Sequence, residues 1–354
     1  DCETERVTVT NRGEAAVDLT GWSLHDEGAR HTFAFPLGFG LPPGQDVTVH
    51  PTPVVRARRL ERALGCGPLL VKRDDLIGFG AAGNKTRPLE FLLADALAHG
   101  AEVLVTGGGA KSNFCPAAAL AARICGLDCE ILVPGEPVGP NVALAVAAGA
   151  RVLPIGDIDR HAIDEAVARR AAELEAAGRR AYGVPRGGST PLGAVGFAVA
   201  AAEMVGQLDE LPAVIVLPVG SGGSCAGLIA GLAAIGADVP VLGVSVSRPL
   251  EDIRRHVHEL AAGCAQLLAR HPPAVDADLL DRAGQFGTAS APEREWAALV
   301  LGTEGLLLDE TYGAQTFTAA IDRACAGPGG PVLVWHTGGL VPAVDSISRT
   351  KGAA

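Results

Sequence analysis

One run without charge, Leu211 to Ala237, limits this chain more than any other feature. Its length raises the question of a membrane span, which needs about 20 apolar residues. Pro218 and the run Gly220-Ser221-Gly222-Gly223-Ser224 interrupt it. Val214–Val219 therefore reads as a buried strand, the Gly/Ser run as a tight loop, and Ala226–Ala234 as a buried helix. An apolar strand without alternation is covered on both faces, which implies a parallel sheet with helices on each side. A soluble protein with no membrane partner is expected.

The same texture extends from Pro51 onward. Strands are expected at Leu69–Lys72, Val103–Val105, Glu130–Val133, Arg151–Pro154, Val241–Val246 and Val332–Trp335. Helices are expected at Pro88–His99, Pro116–Cys125, Asn141–Ala148, Ile163–Ala177 and Leu192–Val205. Strands alternating with helices define an α/β fold with parallel sheets flanked by helices. The 354 residues, 48% of them hydrophobic, suffice for about two domains with packed cores.

Charge and cysteine usage exclude several function classes. Lys plus Arg number 29 against 40 Asp plus Glu, a net charge of −11. Nucleic acid and anionic membranes need clustered basic charge, so neither is an expected partner. Eight cysteines form no Cys-x-x-Cys pair, and the nine histidines show no zinc-finger spacing. No metal site is expected, and the thiols read as reduced thiols of a cytoplasmic enzyme. The opening Asp1-Cys2-Glu3 shows neither a basic start nor an apolar core, so no signal peptide is expected.

Only four residues are lysine: Lys72, Lys85, Lys111 and Lys351. Any chemistry that needs an amine nucleophile must use one of them. Lys351 lies in a polar tail, and Lys72, followed by Arg73-Asp74-Asp75, reads as a surface charge pair. Lys85 stands instead in Gly83-Asn84-Lys85-Thr86-Arg87, after a Gly-rich loop and just before a helix. There a positive helix end and low polarity lower an amine's pKa, as attack on a carbonyl requires. Two loops between a strand and a helix are candidate anion cradles: Gly107-Gly108-Gly109-Ala110-Lys111-Ser112-Asn113 and Gly220–Ser224. Neither fits the nucleoside-triphosphate P-loop or the Gly-x-Gly-x-x-Gly dinucleotide pattern. One isolated lysine with a monophosphate cradle on an α/β fold points to pyridoxal 5'-phosphate.

The ordered motifs identify a family resemblance. Val71-Lys72-Arg73-Asp74-Asp75-Leu76 and Gly83–Ala96 resemble the D-cysteine desulfhydrase and 1-aminocyclopropane-1-carboxylate deaminase family. Ser112-Asn113, Gly187–Gly193, Gly220–Gly227, Glu304–Asp309 and His336-Thr337-Gly338-Gly339 continue it in unbroken order over about residues 50–342. The resemblance implies the two-domain fold type II of pyridoxal-phosphate enzymes, like the tryptophan synthase β subunit. It implies a larger cofactor-binding domain of residues 50–86 and 199–354 and a smaller α/β domain of residues 87–198. Lys85 is then the Schiff-base lysine, which moves the proton at the substrate α-carbon. Asn113 contacts the cofactor's phenolic oxygen, and Ser112 holds the substrate carboxylate. Gly220, Ser221, Gly222, Gly223 and Ser224 wrap the phosphate. Thr337 faces the pyridine nitrogen, and its hydroxyl favours β-elimination over a long-lived carbanion. Tyr312 is a candidate general acid toward the leaving group.

The family pattern is not complete. Phe286 stands where a tyrosine is common, and Gly313 follows Tyr312 where the cyclopropane deaminases carry Glu. Lys111 replaces a residue that is usually Gln and puts a positive charge beside the carboxylate site. Lys111 and Phe286 are thus candidate substrate-binding residues, with Ser112 and Asn113. The expected activity is a lyase that converts a small amino acid to a keto acid and ammonia, in a homodimer. A cyclopropane deaminase, a β-replacement synthase and a catalytically relict scaffold are the alternatives.

Residues 1–49 differ in texture. Short alternating runs such as Val7–Thr10 and Val47–Val49 are separated by Gly and Pro, an all-β signature. Asn11-Arg12-Gly13, Val17–Leu24, Phe33–Pro36 and Leu41–Gly44 resemble the lamin-tail domain, over less than a whole sandwich of about 100 residues.

Overall fold

The computed structural model describes residues 51–351, apart from 78, 80, 160–161, 248, 274–276, 283–286 and 328, and six short strands before residue 50. Those strands form three antiparallel pairs. β1 (Val7–Thr10) joins β6 (Asp46–Val49), β2 (Val17–Asp18) joins β5 (Gly40–Leu41), and β3 (Ser23–His25) joins β4 (Thr32–Ala34).

Two larger sheets follow. The six-stranded sheet holds β7 (Val54–Arg56), β8 (Leu69–Arg73), β13 (Val214–Val219), β14 (Val241–Ser245), β15 (Asp278–Asp281) and β16 (Val332–His336). Its order is β15-β14-β13-β16-β8-β7, parallel except for β7, which runs antiparallel to β8. The four-stranded sheet holds β9 (Val103–Gly107), β10 (Asp128–Val133), β11 (Arg151–Pro154) and β12 (Ala181–Val184). All its strands are parallel, in the order β11-β10-β9-β12.

Helices cover both sheets on both faces, as the bare apolar strands require. On one face of the larger sheet, α6 (Pro191–Gly206), α7 (Gly223–Ala234) and α8 (Leu250–Leu267) pack on Ile215, Leu217, Val219 and Trp335. On the other, α1 (Arg58–Leu64), α9 (Ala291–Glu304) and α10 (Gly313–Cys325) pack on Val71, Val216, Val244 and Val334. Successive residues of β13 thus serve opposite cores, the period-2 geometry of a strand. The smaller sheet lies between α5 (Ile163–Ala176) on one side and α2 (Thr86–Ala98) with α3 (Phe114–Ile124) on the other. α4 (Pro140–Ala147) and α11 (Leu340–Lys351) complete the helices.

The seam between α6 and α7 depends on small residues. A Cβ added at Gly227 would lie 2.0 Å from the carbonyl oxygen of Ala194, and one at Gly231 would lie 2.6 Å from that of Ala198. Residue 198, the expected domain boundary, falls inside α6. The residues around it, Ala194, Val195, Phe197 and Ala201, belong to the core of the larger sheet.

Lys72 corrects the sequence reading. It is fully buried, and its Nζ donates to the Thr52 carbonyl at 2.6 Å, to Gln207 Oε1 at 2.8 Å and to the Glu203 carboxylate. Asp75 pairs with Arg73 instead, and Asp74, also fully buried, takes two bonds of 2.8 Å from Arg87 and one from Trp335 Nε1. Arg87 also donates to Glu203 at 2.9 Å. The result is a buried set of two cations and two carboxylates that ties β8, α2, α6 and β16 together. Its partners are far apart in sequence, so the local run around Lys72 could not reveal it. Lys351 is the last residue of α11. The described cysteines, Cys66, Cys115, Cys125, Cys129, Cys225, Cys264 and Cys325, are free thiols. Among the described residues no His/Cys/Asp/Glu group could hold a metal, and no helix is long and apolar enough to cross a membrane.

Candidate active site

Strand order locates the site. In the larger sheet the chain moves outward from β13 to β14 and β15, then returns to place β16 on the other side of β13. In the smaller sheet β12 likewise returns to the free side of β9. At such reversals the loops after adjacent strands diverge and leave a crevice at the carboxyl ends. A cavity of ≈ 270 Å³ is lined by the loops that follow β9, β13 and β16, and by Lys85 at the start of α2.

Lys85 ends a 3₁₀ turn, Gly83–Lys85, and is the N-cap of α2. The turn is pressed against the loop after β16. The Asn84 N–H donates to the Thr337 carbonyl at 3.0 Å, and Gly83, at φ +56°, has no room for a side chain: a Cβ would lie 2.3 Å from that oxygen. The Lys85 side chain is half-buried at the cavity wall, and burial lowers its pKa to about 8. The lowered value matches the expectation, but desolvation is its cause.

The loop after β9 brings Lys111, Ser112 and Asn113 to the same cavity. Asn113 is the N-cap of α3, and its Oδ1 accepts from Asn141 Nδ2 at 3.0 Å. Asn141 also bonds the carbonyls of Lys111 and Ser112, so one buried amide fixes the whole loop. The Lys111 Nζ donates to the carbonyl of Gly287 at 3.1 Å. Phe286, the other expected substrate contact, lies outside the described residues.

The loop after β13 supplies Gly220, Ser221, Gly222 and Ser224. Gly222, at φ +100°, is the N-cap of α7, a helix of 12 residues, so free N–H groups gather there. Gly223 is the exception among the expected ligands. It does not line the cavity, and its N–H donates to Ser189 Oγ at 3.2 Å. Ser189 also donates to Ser221 Oγ at 2.6 Å, and Ser247 Oγ donates to the Gly220 carbonyl at 2.9 Å.

Thr337 lines the cavity just after β16. The neighbouring His336 is 2% exposed, and burial lowers its pKa, so its ring is neutral. Its Nδ1 accepts from the Gly338 N–H at 3.4 Å. Tyr312 enters from the N-terminus of α10, and its ring packs on Gly220, where a Cβ would lie 3.1 Å from the ring edge. Asp309 holds this corner by accepting the N–H groups of Thr311, Tyr312 and Gly313, each at 3.0 Å. Burial pushes the Asp309 carboxyl up to about 6, against the opposing effect of those N–H groups.

The sequence reading missed Asn84, Arg186 and Ser247, which also line the cavity. Asn84 Nδ2 donates to Ser224 Oγ at 3.2 Å, and Arg186 is paired with Asp164 at 2.9 Å. Asn84 had a usable signal, since it adjoins Lys85. Arg186 adjoins the Gly187–Gly193 motif, whereas Ser247 had no local signal, because only the tertiary fold brings it to the cavity.

These residues fit pyridoxal phosphate. Burial has prepared one amine, the start of α7 offers N–H and hydroxyl donors to an anion, and among the described residues no carboxylate lines the cavity. The chain belongs to the family of pyridoxal-phosphate dependent enzymes, which matches residues 46–338. Among relatives, D-cysteine desulfhydrase of Salmonella typhi is 35% identical over 305 residues, covering 82% of this chain and 92% of its own. A solved ACC deaminase homologue is 31% identical with a TM-score of 0.80, covering 86% of this chain and 94% of that one. A solved threonine deaminase, 24% identical with a TM-score of 0.60 over 82% of this chain and 93% of its own, shares the fold. The lamin-tail resemblance of the first 49 residues gains no support from these relatives.

Proposed function

We propose that this chain is a lyase that eliminates a β-substituent from a small amino acid and releases a keto acid and ammonia, as a D-cysteine desulfhydrase does. The observation that carries the reading is the desolvated Lys85, which shares one cavity with the N-terminus of α7. Bound pyridoxal phosphate supplies an electron sink that acidifies the substrate α-carbon. The chain's own residues do the rest. Lys85 Nζ, whose pKa burial lowers to about 8, holds the cofactor and then takes the proton from the α-carbon. Ser112 and the adjacent N–H groups hold the substrate carboxylate. Asn113, steadied by Asn141, contacts the phenolic oxygen of the cofactor. Gly220, Ser221, Gly222 and Ser224 hold the phosphate, and Gly223 shapes their turn. Thr337 presents a hydroxyl rather than a carboxylate to the ring nitrogen, which favours prompt loss of the leaving group. Tyr312 Oη delivers a proton to that group.

A homodimer, a cytoplasmic location, the larger and smaller domains, and a lamin-tail-like character for residues 1–49 belong to the same proposal. Turnover of a panel of D- and L-amino acids tests it. Keto acid and ammonia released without an added nucleophile support elimination and separate it from β-replacement. No turnover of any member by cofactor-loaded protein overturns it.

A further inference from the structure

We infer that Lys111 is a second anion site in the cavity, and that the substrate is an α-amino acid whose β-substituent itself carries an acid group. This inference rests on the lyase reading above. The cavity lining contains three basic side chains, Lys85, Lys111 and Arg186, and no carboxylate among the described residues. Arg186 is already committed. Its Nε donates to both oxygens of Asp164 at 3.1 Å, its Nη2 donates at 2.9 Å, and Asp164 also accepts the Arg186 backbone N–H at 2.8 Å. Lys85 is assigned to the cofactor. Lys111 remains. Its ammonium donates to one neutral acceptor, the Gly287 carbonyl at 3.1 Å, and no carboxylate of the described residues pairs with it. An ammonium has three donors, so two directions stay available to a ligand.

Position sharpens the point. Lys111 adjoins Ser112, where the α-carboxylate is placed, yet its Nζ reaches across to the loop before α9. A Cβ added at Gly287 would lie 2.9 Å from it. The ammonium therefore ties the cavity loop after β9 to the loop before α9. A ligand with an acid at each end meets two separate anion sites, whereas a neutral β-substituent leaves Lys111 bonded to a carbonyl.

Aspartate and alanine differ by one β-carboxylate, and neither carries a group that β-elimination expels. Their equilibrium binding to the cofactor-loaded protein, read from the cofactor absorbance for both enantiomers, isolates the second acid site. Lys111 is exposed, so solvent weakens the pairing, and the expected result is aspartate binding about two- to five-fold tighter than alanine. Lys111→Gln should abolish the preference while still binding alanine, and Lys111→Arg should keep most of it. Equal affinities in the unaltered protein, or a preference that survives Lys111→Gln, overturn the role of Lys111 and leave the lyase reading standing. A cofactor absorbance that responds to neither amino acid overturns the lyase reading, and this inference with it.

Discussion

Replacing Arg87 by Met tests the buried charge set behind Lys85. Arg87 is 7% exposed and donates to Asp74 twice at 2.8 Å, to Glu203 at 2.9 and 3.1 Å, and to Thr52 Oγ1 at 3.1 Å. Methionine fills much of the volume but leaves Asp74 and Glu203 with Lys72 as their only cation. Summing about 1.5–3 kcal/mol per charged hydrogen bond would overshoot, because the bonds share partners. Removing one member of a buried pair costs roughly 3–5 kcal/mol, which is the better guide. At roughly 2 °C per kcal/mol for a large chain, Tm should fall by about 6–10 °C.

The pH dependence gives a second, independent signature. In the unaltered protein the ion pairs with Arg87 hold both carboxyls below their ordinary values despite burial. Their contribution to stability is present above the unfolded-state values and is lost as pH falls through the folded ones. In Arg87→Met one carboxylate lacks a counter-charge, so its folded pKa rises and protonation relieves the penalty. The Tm gap should therefore be widest near pH 7.5 and narrow toward pH 5. Arg255, which pairs with Asp252 at 3.0 Å on an exposed helix face, supplies the contrast, and Arg255→Ala should shift Tm by about 1 °C or less. Circular dichroism melts at both pH values read all three proteins. An Arg87→Met protein that melts within about 2 °C of the parent, or a gap that does not change with pH, refutes the reasoning.

Three further outcomes follow from the same geometry. Tyr312→Phe should keep the cofactor absorbance but lower turnover by about 10²–10⁴-fold, as steady-state kinetics would show, if the phenol protonates the leaving group. Gly227→Ala should destabilise the fold by about 1–3 kcal/mol or more in chemical denaturation, because its Cβ would meet the Ala194 carbonyl at 2.0 Å. Cofactor uptake by the cofactor-free protein should rise through about pH 8, as Lys85 loses its proton, in stopped-flow absorbance traces. An uptake midpoint near the ordinary lysine value of about 10.4 would contradict the burial of that amine.

Much of this architecture was legible because its strands are buried on both faces. Val214–Val219 has the expected bounds, since a bare apolar run followed by glycine leaves little choice, and the partly exposed edge strand Arg151–Pro154 keeps its expected bounds as well. Less distinctive elements escaped. β12 is four residues with Gly183 inside it, and β15 is an edge strand bounded by aspartates. In α10 the buried face includes Thr316 and Thr318, whose hydroxyls return to carbonyls four residues earlier at 2.7 and 2.8 Å, so its polarity hid a core helix. The site divides in the same way. Lys85, Asn113, Ser221 and Thr337 sit at loop junctions that their own motifs mark. Asn141 steadies one of those loops from 28 residues away, and the side-chain partners of Lys72 lie 131 and 135 residues away, beyond any local pattern.

The central claim is that one of four lysines carries the cofactor chemistry. Borohydride reduction of the cofactor-loaded protein fixes the carbon–nitrogen bond in place, and peptide mapping by mass spectrometry then identifies the modified residue. The account predicts a single pyridoxyl group on Lys85 and none in Lys85→Ala. A group on Lys72, Lys111 or Lys351, or no incorporation at all, would contradict it.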